Sequence, residues 1–192
     1  MQIIAIPHST LRAKAKEITK IDKKLIKFVK NLEQTLADAR NPQGVGLAAP
    51  QVDKTLRIFT TQLPDETQTL RPELIKHYIN PVITNRSPKL ILGETANDKE
   101  AREEGCLSMP GLYGPVPRAE WIELLWFELD GNELVKKEAR FDNFPARVIQ
   151  HELDHLDGIL FTDYSIKYDL PVYKESRLGK WVEVDKSELE KI

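Results

Sequence analysis

From Asp22 onward, apolar residues recur at helical spacing at Leu25, Val29, Leu32 and Leu36, and predict a helix with Asp22 as its cap. Lys23, Lys24, Lys27 and Lys30 fall on its outer face, and Glu33 and Asp38 beside them make that face a solvated surface rather than a nucleic-acid patch. The helix is expected to stop near Asn41-Pro42. A second helical stripe is formed by Ala146, Ile149, Leu153 and Leu156, with Asn143 as expected N-cap, Pro145 in the first turn and Gly158 as the C-terminal stop. Strand-like runs occupy residues 56–60, 78–84 and, more briefly, 89–92. A longer one at 121–129 leads through the turn signal Asp130-Gly131 into a return over 133–139.

The segments between these elements read differently. The start of the chain is extended as far as Pro7, and 10–15 is a turn or short coil. Residues 63–76 form a polar connection, and the charged run 97–104 reads as a solvated loop. Ile159, Leu160 and Phe161 continue the core. Beyond residue 164, Pro171, Gly179 and the alternation Trp181-Val182-Glu183-Val184 predict an extended tail over 165–192. No internal repeat or second domain boundary interrupts this pattern. The expectation is one α+β domain over 1–192.

Composition narrows the classes further. A chain of 192 residues with 41% hydrophobic and 30% charged residues can bury one ordinary core. A net charge of −2 gives no general attraction to nucleic acid or to anionic membrane, and neither partner is expected. No apolar run is long enough to span a bilayer, and the first residues lack the pattern of a signal peptide. The single cysteine excludes an internal disulfide and suits a reducing compartment.

Candidate chemistry concentrates in residues 150–158, which read H-E-x-x-H. On a helix, His151 and His155 project from one face and can share a metal ion, with Glu152 as general base. A third ligand is then needed. Cys106, in the run Glu104-Gly105-Cys106-Leu107-Ser108, is a candidate as a thiolate, although a lone cysteine is more often a small buried hydrophobe. A blue-copper use would want an axial Met and gives Glu152 no role. A zinc endopeptidase would need another His or Glu ligand downstream, where there is no further His and the glutamates are Glu175, Glu183, Glu188 and Glu190. Residues 44–51 (G-V-G-L-A-A-P-Q) carry little side-chain bulk, so their backbone can be approached closely. They lack both nucleotide-loop patterns, and a purely structural tight loop remains the alternative.

Taken together, the three stretches closely resemble the peptide deformylase family. Its G-x-G-x-A-A-x-Q loop matches Gly44 to Gln51, its E-G-C-L-S motif Glu104 to Ser108, and its Q-H-E-x-D-H motif Gln150 to His155, in the family's order. Pro7, Leu11 and Arg12 match the family's opening, so the resemblance runs to about Tyr164. It implies antiparallel sheets packed around a central metal-binding helix, and removal of the formyl group from N-formylmethionine on newly made polypeptides.

The resemblance also assigns roles to particular residues. Cys106, His151 and His155 would hold one divalent ion, ferrous iron in the cell by analogy, with zinc, nickel or cobalt compatible with the same donors. Glu152 would take a proton from water as the oxygen attacks the formyl carbon, then pass it to the leaving amine. The Gln51 amide and the Leu107 backbone N–H would stabilise the oxyanion. Val45 and Gly46 would pair with the extended peptide, Val45, Phe144 and Val148 would wall the methionine pocket, and Arg118 would lie near the bound peptide. Core packing explains Val148, and a surface ion pair Arg118, equally well. The implied partners are N-formylmethionyl peptides, including nascent chains at the ribosome, in a bacterial-type cytoplasm or an organelle. The tail does not read as a long helix, so ribosome docking through one is not carried over. A non-enzymatic relative would be expected to lose Glu152 or a ligand, and none is lost. An amidase acting on another acylated amine stays open.

Overall fold

A computed structural model describes residues 1–40, 42–64, 70–92, 103–176 and 180–189. In chain order its elements are α1 (Lys23–Asp38), β1 (Gly46–Ala48), β2 (Ile58–Thr61), β3 (Lys76–Arg86), β4 (Leu90–Ile91), β5 (Glu104–Cys106) and β6 (Met109–Gly114). They continue with β7 (Arg118–Ala119), β8 (Trp121–Asp130), β9 (Glu133–Asp142), α2 (Asn143–Leu156), α3 (Phe161–Tyr168), β10 (Tyr173–Glu175), β11 (Trp181–Glu183) and α4 (Lys186–Leu189). All strand pairs of the named sheets are antiparallel. One sheet runs β1-β2-β3-β8-β9, a second β11-β10-β6-β5, and β4 pairs with β7.

Alternation along the strands explains why the first sheet is covered on both faces. Ala48, Phe59, Tyr78, Ile122, Leu124 and Trp126 point toward Ala146, Ile149, Leu153 and Leu156 of α2. Their neighbours Leu47, Ile58 and Ile79 point the other way, toward Leu25, Val29, Leu32 and Leu36 of α1. Phe59 stacks on Tyr78 with ring centroids 4.6 Å apart, tying adjacent strands on the α2 side. A third cluster, including Cys106, Met109, Phe161, Val172 and Leu189, joins the second sheet to the C-terminal segment. α1 begins as its pattern predicts, with the Asp22 carboxylate accepting from Leu25 N at 2.9 Å. It ends at Asp38, earlier than expected.

Three local expectations are corrected. Asn143 is not the N-cap: Asp142 holds that position without a side-chain cap bond, and Asn143 takes a left-handed conformation with φ of 54°. That turn redirects the chain from β9 into α2 while Asn143 N–H donates to Glu120 O at 2.8 Å. Second, the tail is not wholly extended. Residues 161–168 form α3, capped by Asp163, whose carboxylate accepts from Leu160 N at 2.9 Å. After it, β10 and β11 form a hairpin on β6, and the short α4 buries Leu189. The tail's Gly179 lies outside the described residues. Third, the charged run 97–104 is not a solvated loop throughout: residues 97–102 lie outside the described residues, but Glu104 is buried. Among the described residues no helix is long and apolar enough to cross a membrane.

Candidate metal centre

The helical spacing of His151 and His155 does what it predicts, bringing both imidazoles to one side of α2 with ring centroids 4.9 Å apart. Cys106, the last residue of β5, meets them from the second sheet. Its Sγ lies 3.2 Å from His155 Nε2, and the three donor atoms all fall within 4.8 Å of one another. A thiol and two imidazoles converging in this way could hold a metal ion.

The surroundings fit that use. His151 Nδ1 is paired with Glu104 Oε2 at 2.9 Å, which leaves its other ring nitrogen for the site. His155 is buried, and burial, reinforced by the charges of His151 and Arg118, holds its pKa well below the ordinary value, in the neutral form a ligand needs. Glu152 Oε2 is buried without a hydrogen-bond partner. Burial pushes the Glu152 carboxyl up to about 7; Glu104 and Asp154 add to the rise, and His151 and Arg118 oppose it.

Gln51 reaches the same point from the short 3₁₀ turn after β1. Its carbonyl accepts from Ala48 N at 2.8 Å, so its amide nitrogen is directed to Cys106 Sγ at 3.4 Å and Ser108 Oγ at 3.3 Å. A cleft of about 210 Å³ opens beside these groups and is lined by Val45, Gly46, Leu107, Phe144 and Val148, among others. Gly46 has a strict reason to be glycine. A Cβ there would sit 2.2 Å from Glu152 Oε1.

The structure thus gathers Glu152, Gln51, Leu107, Cys106, His151, Val45, Gly46, Phe144 and Val148 around one cleft, with His155 buried beside it. Arg118 is the exception. It is 3% exposed, lies outside the cleft lining, and forms a paired hydrogen bond with Glu104 at 2.9 and 2.8 Å and a bond with Asp154. It is a buried brace rather than a peptide contact or a surface pair. Glu104, Arg147 and Tyr113 carry no role legible in the sequence alone. Arg147 Nη1 donates to Glu104 at 2.8 Å, so Glu104 is held by two arginines and one histidine. Burial alone would raise the Glu104 pKa, but the charge and hydrogen bonds of Arg118, with His151, hold it well below the usual carboxylate range. Tyr113 lines the cleft and covers Gly105, where a Cβ would meet the ring at 2.5 Å. The spacing Glu104 to Cys106 was the available signal for the first of these, since a motif glutamate beside a ligand often orients another ligand.

A thiol, two imidazoles, a buried carboxyl and an oriented amide beside one cleft are a set that could serve metal-assisted hydrolysis in an α+β fold. The polypeptide deformylase family model matches residues 1–169, stopping short of the β10–β11 hairpin. A peptide deformylase of Desulforudis audaxviator is 36% identical over 162 residues, covering 84% of this chain and 91% of that one. A solved peptide deformylase from Plasmodium falciparum superposes with a TM-score of 0.69 at 29% identity, covering 85% of each chain. Another, from Acinetobacter baumannii with Met-Ala-Ser bound, gives 0.68 at 30% identity over 85% of this chain and 97% of that one. The chain belongs to the peptide deformylase family and is an enzyme, a hydrolase of that family.

Proposed function

We propose that this enzyme removes the formyl group from N-formylmethionine at the start of newly synthesised polypeptides, using Glu152 as general acid and base. The observation that carries the reading is the placement of the buried Glu152 carboxyl between the Cys106-His151-His155 cluster and the edge strand β1. Cys106, His151 and His155 would hold a divalent ion, which we take to be ferrous iron in the cell. Such an ion supplies Lewis-acid polarisation of a carbonyl and acidifies water.

The protein's own groups do the rest. A carboxyl near pH 7 is suited both to take a proton from the attacking water and to return it to the departing amine. Gln51 donates from its fixed amide to the oxygen on which negative charge develops, and the Leu107 backbone N–H, between the Cys106 and Ser108 that the amide meets, is assigned the same task. β1 is an edge strand. Val45 O accepts from Gln62 N at 2.8 Å, which turns the N–H and C=O of Gly46 away from β2 and toward an incoming extended peptide. Val45, Phe144 and Val148 offer the apolar wall for the methionine side chain. The Met-Ala-Ser bound to the Acinetobacter baumannii relative is a peptide of the kind this reaction would release. Nascent chains in a bacterial-type cytoplasm are the substrates this reading implies.

The test is formate release from formyl-Met-Ala by anaerobically prepared protein, with Glu152→Ala alongside and bound metal counted in both. Metal in both and formate from the wild type alone supports the reaction and the role of Glu152 together. Metal in both and formate from neither, where a working deformylase succeeds, overturns the proposal.

A further inference from the structure

One residue of the cleft wall, Tyr113, touches a surface that the catalytic motifs do not explain. Tyr113, which lines the cleft above Gly105, is met edge-on by Trp181 of β11, with ring centroids 5.4 Å apart. Trp181 is 55% exposed, unusual for so large an apolar side chain that has a core within reach. Strand register places its neighbours. Tyr173 pairs with both Tyr113 and Glu183, and Glu175 pairs with Trp181, so Tyr113, Tyr173, Glu175, Trp181 and Glu183 share one face of the second sheet. Lys174 and Val182 are on the other. Glu175 and Glu183 are both exposed, and Glu103 adds a further carboxylate at the cleft wall.

We infer that Trp181, flanked by Glu175 and Glu183, forms a shelf that receives a cationic side chain of the substrate downstream of formyl-methionine. The inference rests on the proposed deformylase reading. The occupant follows from continuity and charge. An extended peptide advances about 3.3 Å per residue, so one whose first residue lies at Cys106 and runs past Gly105 brings its third or fourth residue beside the Tyr113–Trp181 pair. An exposed indole face attracts lysine or arginine, and two carboxylates on the same face favour those residues and oppose glutamate. Trp181 is therefore a specificity-determining residue, carried on a hairpin outside the stretch that the family model matches.

The test compares kcat/KM for formyl-Met-Ala-Lys-Lys and formyl-Met-Ala-Glu-Glu, each relative to formyl-Met-Ala, at low salt. The wild type should favour the lysine peptide by about two- to fivefold, expressed mainly in KM. Trp181→Ala should remove most of that ratio and Trp181→Phe should keep much of it. The exposed double variant Glu175→Lys/Glu183→Lys should invert it without touching the core. A wild type indifferent to the two peptides, or a ratio that survives Trp181→Ala and the charge reversal, overturns the shelf. So does an equal loss on all three substrates, which would make Trp181 a prop for Tyr113. Calorimetric titration with unformylated Met-Ala-Lys-Lys and Met-Ala-Glu-Glu reads the same preference without turnover. A protein that releases no formate but still prefers the lysine peptide would therefore fail as a deformylase and not as a shelf.

Discussion

Gly46→Ala isolates the steric requirement at the centre of the site. The added methyl carbon would stand 2.2 Å from Glu152 Oε1, 2.6 Å from its Cδ and 2.9 Å from its Cγ. An ordinary carbon–oxygen contact is about 3.3 Å, so roughly 1 Å of overlap must be relieved. β1 cannot easily retreat: Leu47 and Ala48 are fully buried, and Ala48 N–H holds the carbonyl of Gln51. The Glu152 side chain is therefore the part that moves. On the role proposed for Glu152, a displacement of about 1 Å costs on the order of 100-fold in rate, equivalent to about 2.7 kcal/mol of barrier. Crowding of the buried carboxylate should also lower stability by about 1–3 kcal/mol. The assay is formate release from formyl-Met-Ala with kcat and KM separated, together with a metal count and a thermal melt. The expected variant keeps its metal, since the three atoms nearest the methyl all belong to Glu152. A metal-loaded variant with kcat within about threefold of wild type would refute the reasoning, because Glu152 would then tolerate displacement.

Two further substitutions test the supports around that centre. Glu104→Gln weakens the hold on His151 and leaves Arg118 and Arg147 facing a neutral group; metal affinity, read by chelator competition, should fall about 10- to 100-fold. Stability should fall with it, by up to about 3–5 kcal/mol in a denaturant melt of the metal-free protein. Asn143→Val places a β-branched residue at φ of 54° on an exposed position, so a loss of about 1–2 kcal/mol should appear in the melt with little change in KM.

Local chemistry was legible in the sequence wherever it depends on spacing along one element. His151, Glu152 and His155 are set by helical periodicity, and the core faces of α1 and α2 follow from the same rule. The α+β class with antiparallel sheets packed on the helix that carries His151 and His155 is also what the structure holds. The glycine loop was legible only in part. Small residues at 44–51 announced a close approach, yet the nearest neighbour Gly46 makes room for is Glu152 inside the protein, a contact 106 residues away in the chain. α3 was missed because Phe161–Tyr168 is short and rich in aromatic and β-branched residues. Burial of Phe161 in the third cluster holds it more than propensity does.

Arg118 shows why the remaining polar framework could not be read from the chain. As a lone cation at the end of an unremarkable stretch, it could equally be assigned to substrate or to solvent. Its actual partners are Glu104 and Asp154, and Asp154 also accepts from the Tyr164 hydroxyl of α3. Glu104 holds His151 from one side of α2, while Arg118 joins Glu104 to Asp154 on the same helix. α2 is thereby tied to β5, β7 and α3 through charges that would be costly to bury singly. Such a network has no local periodicity, because each bond is determined by which elements meet. A motif can name the donors of the centre, but the bracing that fixes one imidazole against the thiol is assembled only when the two sheets close on α2.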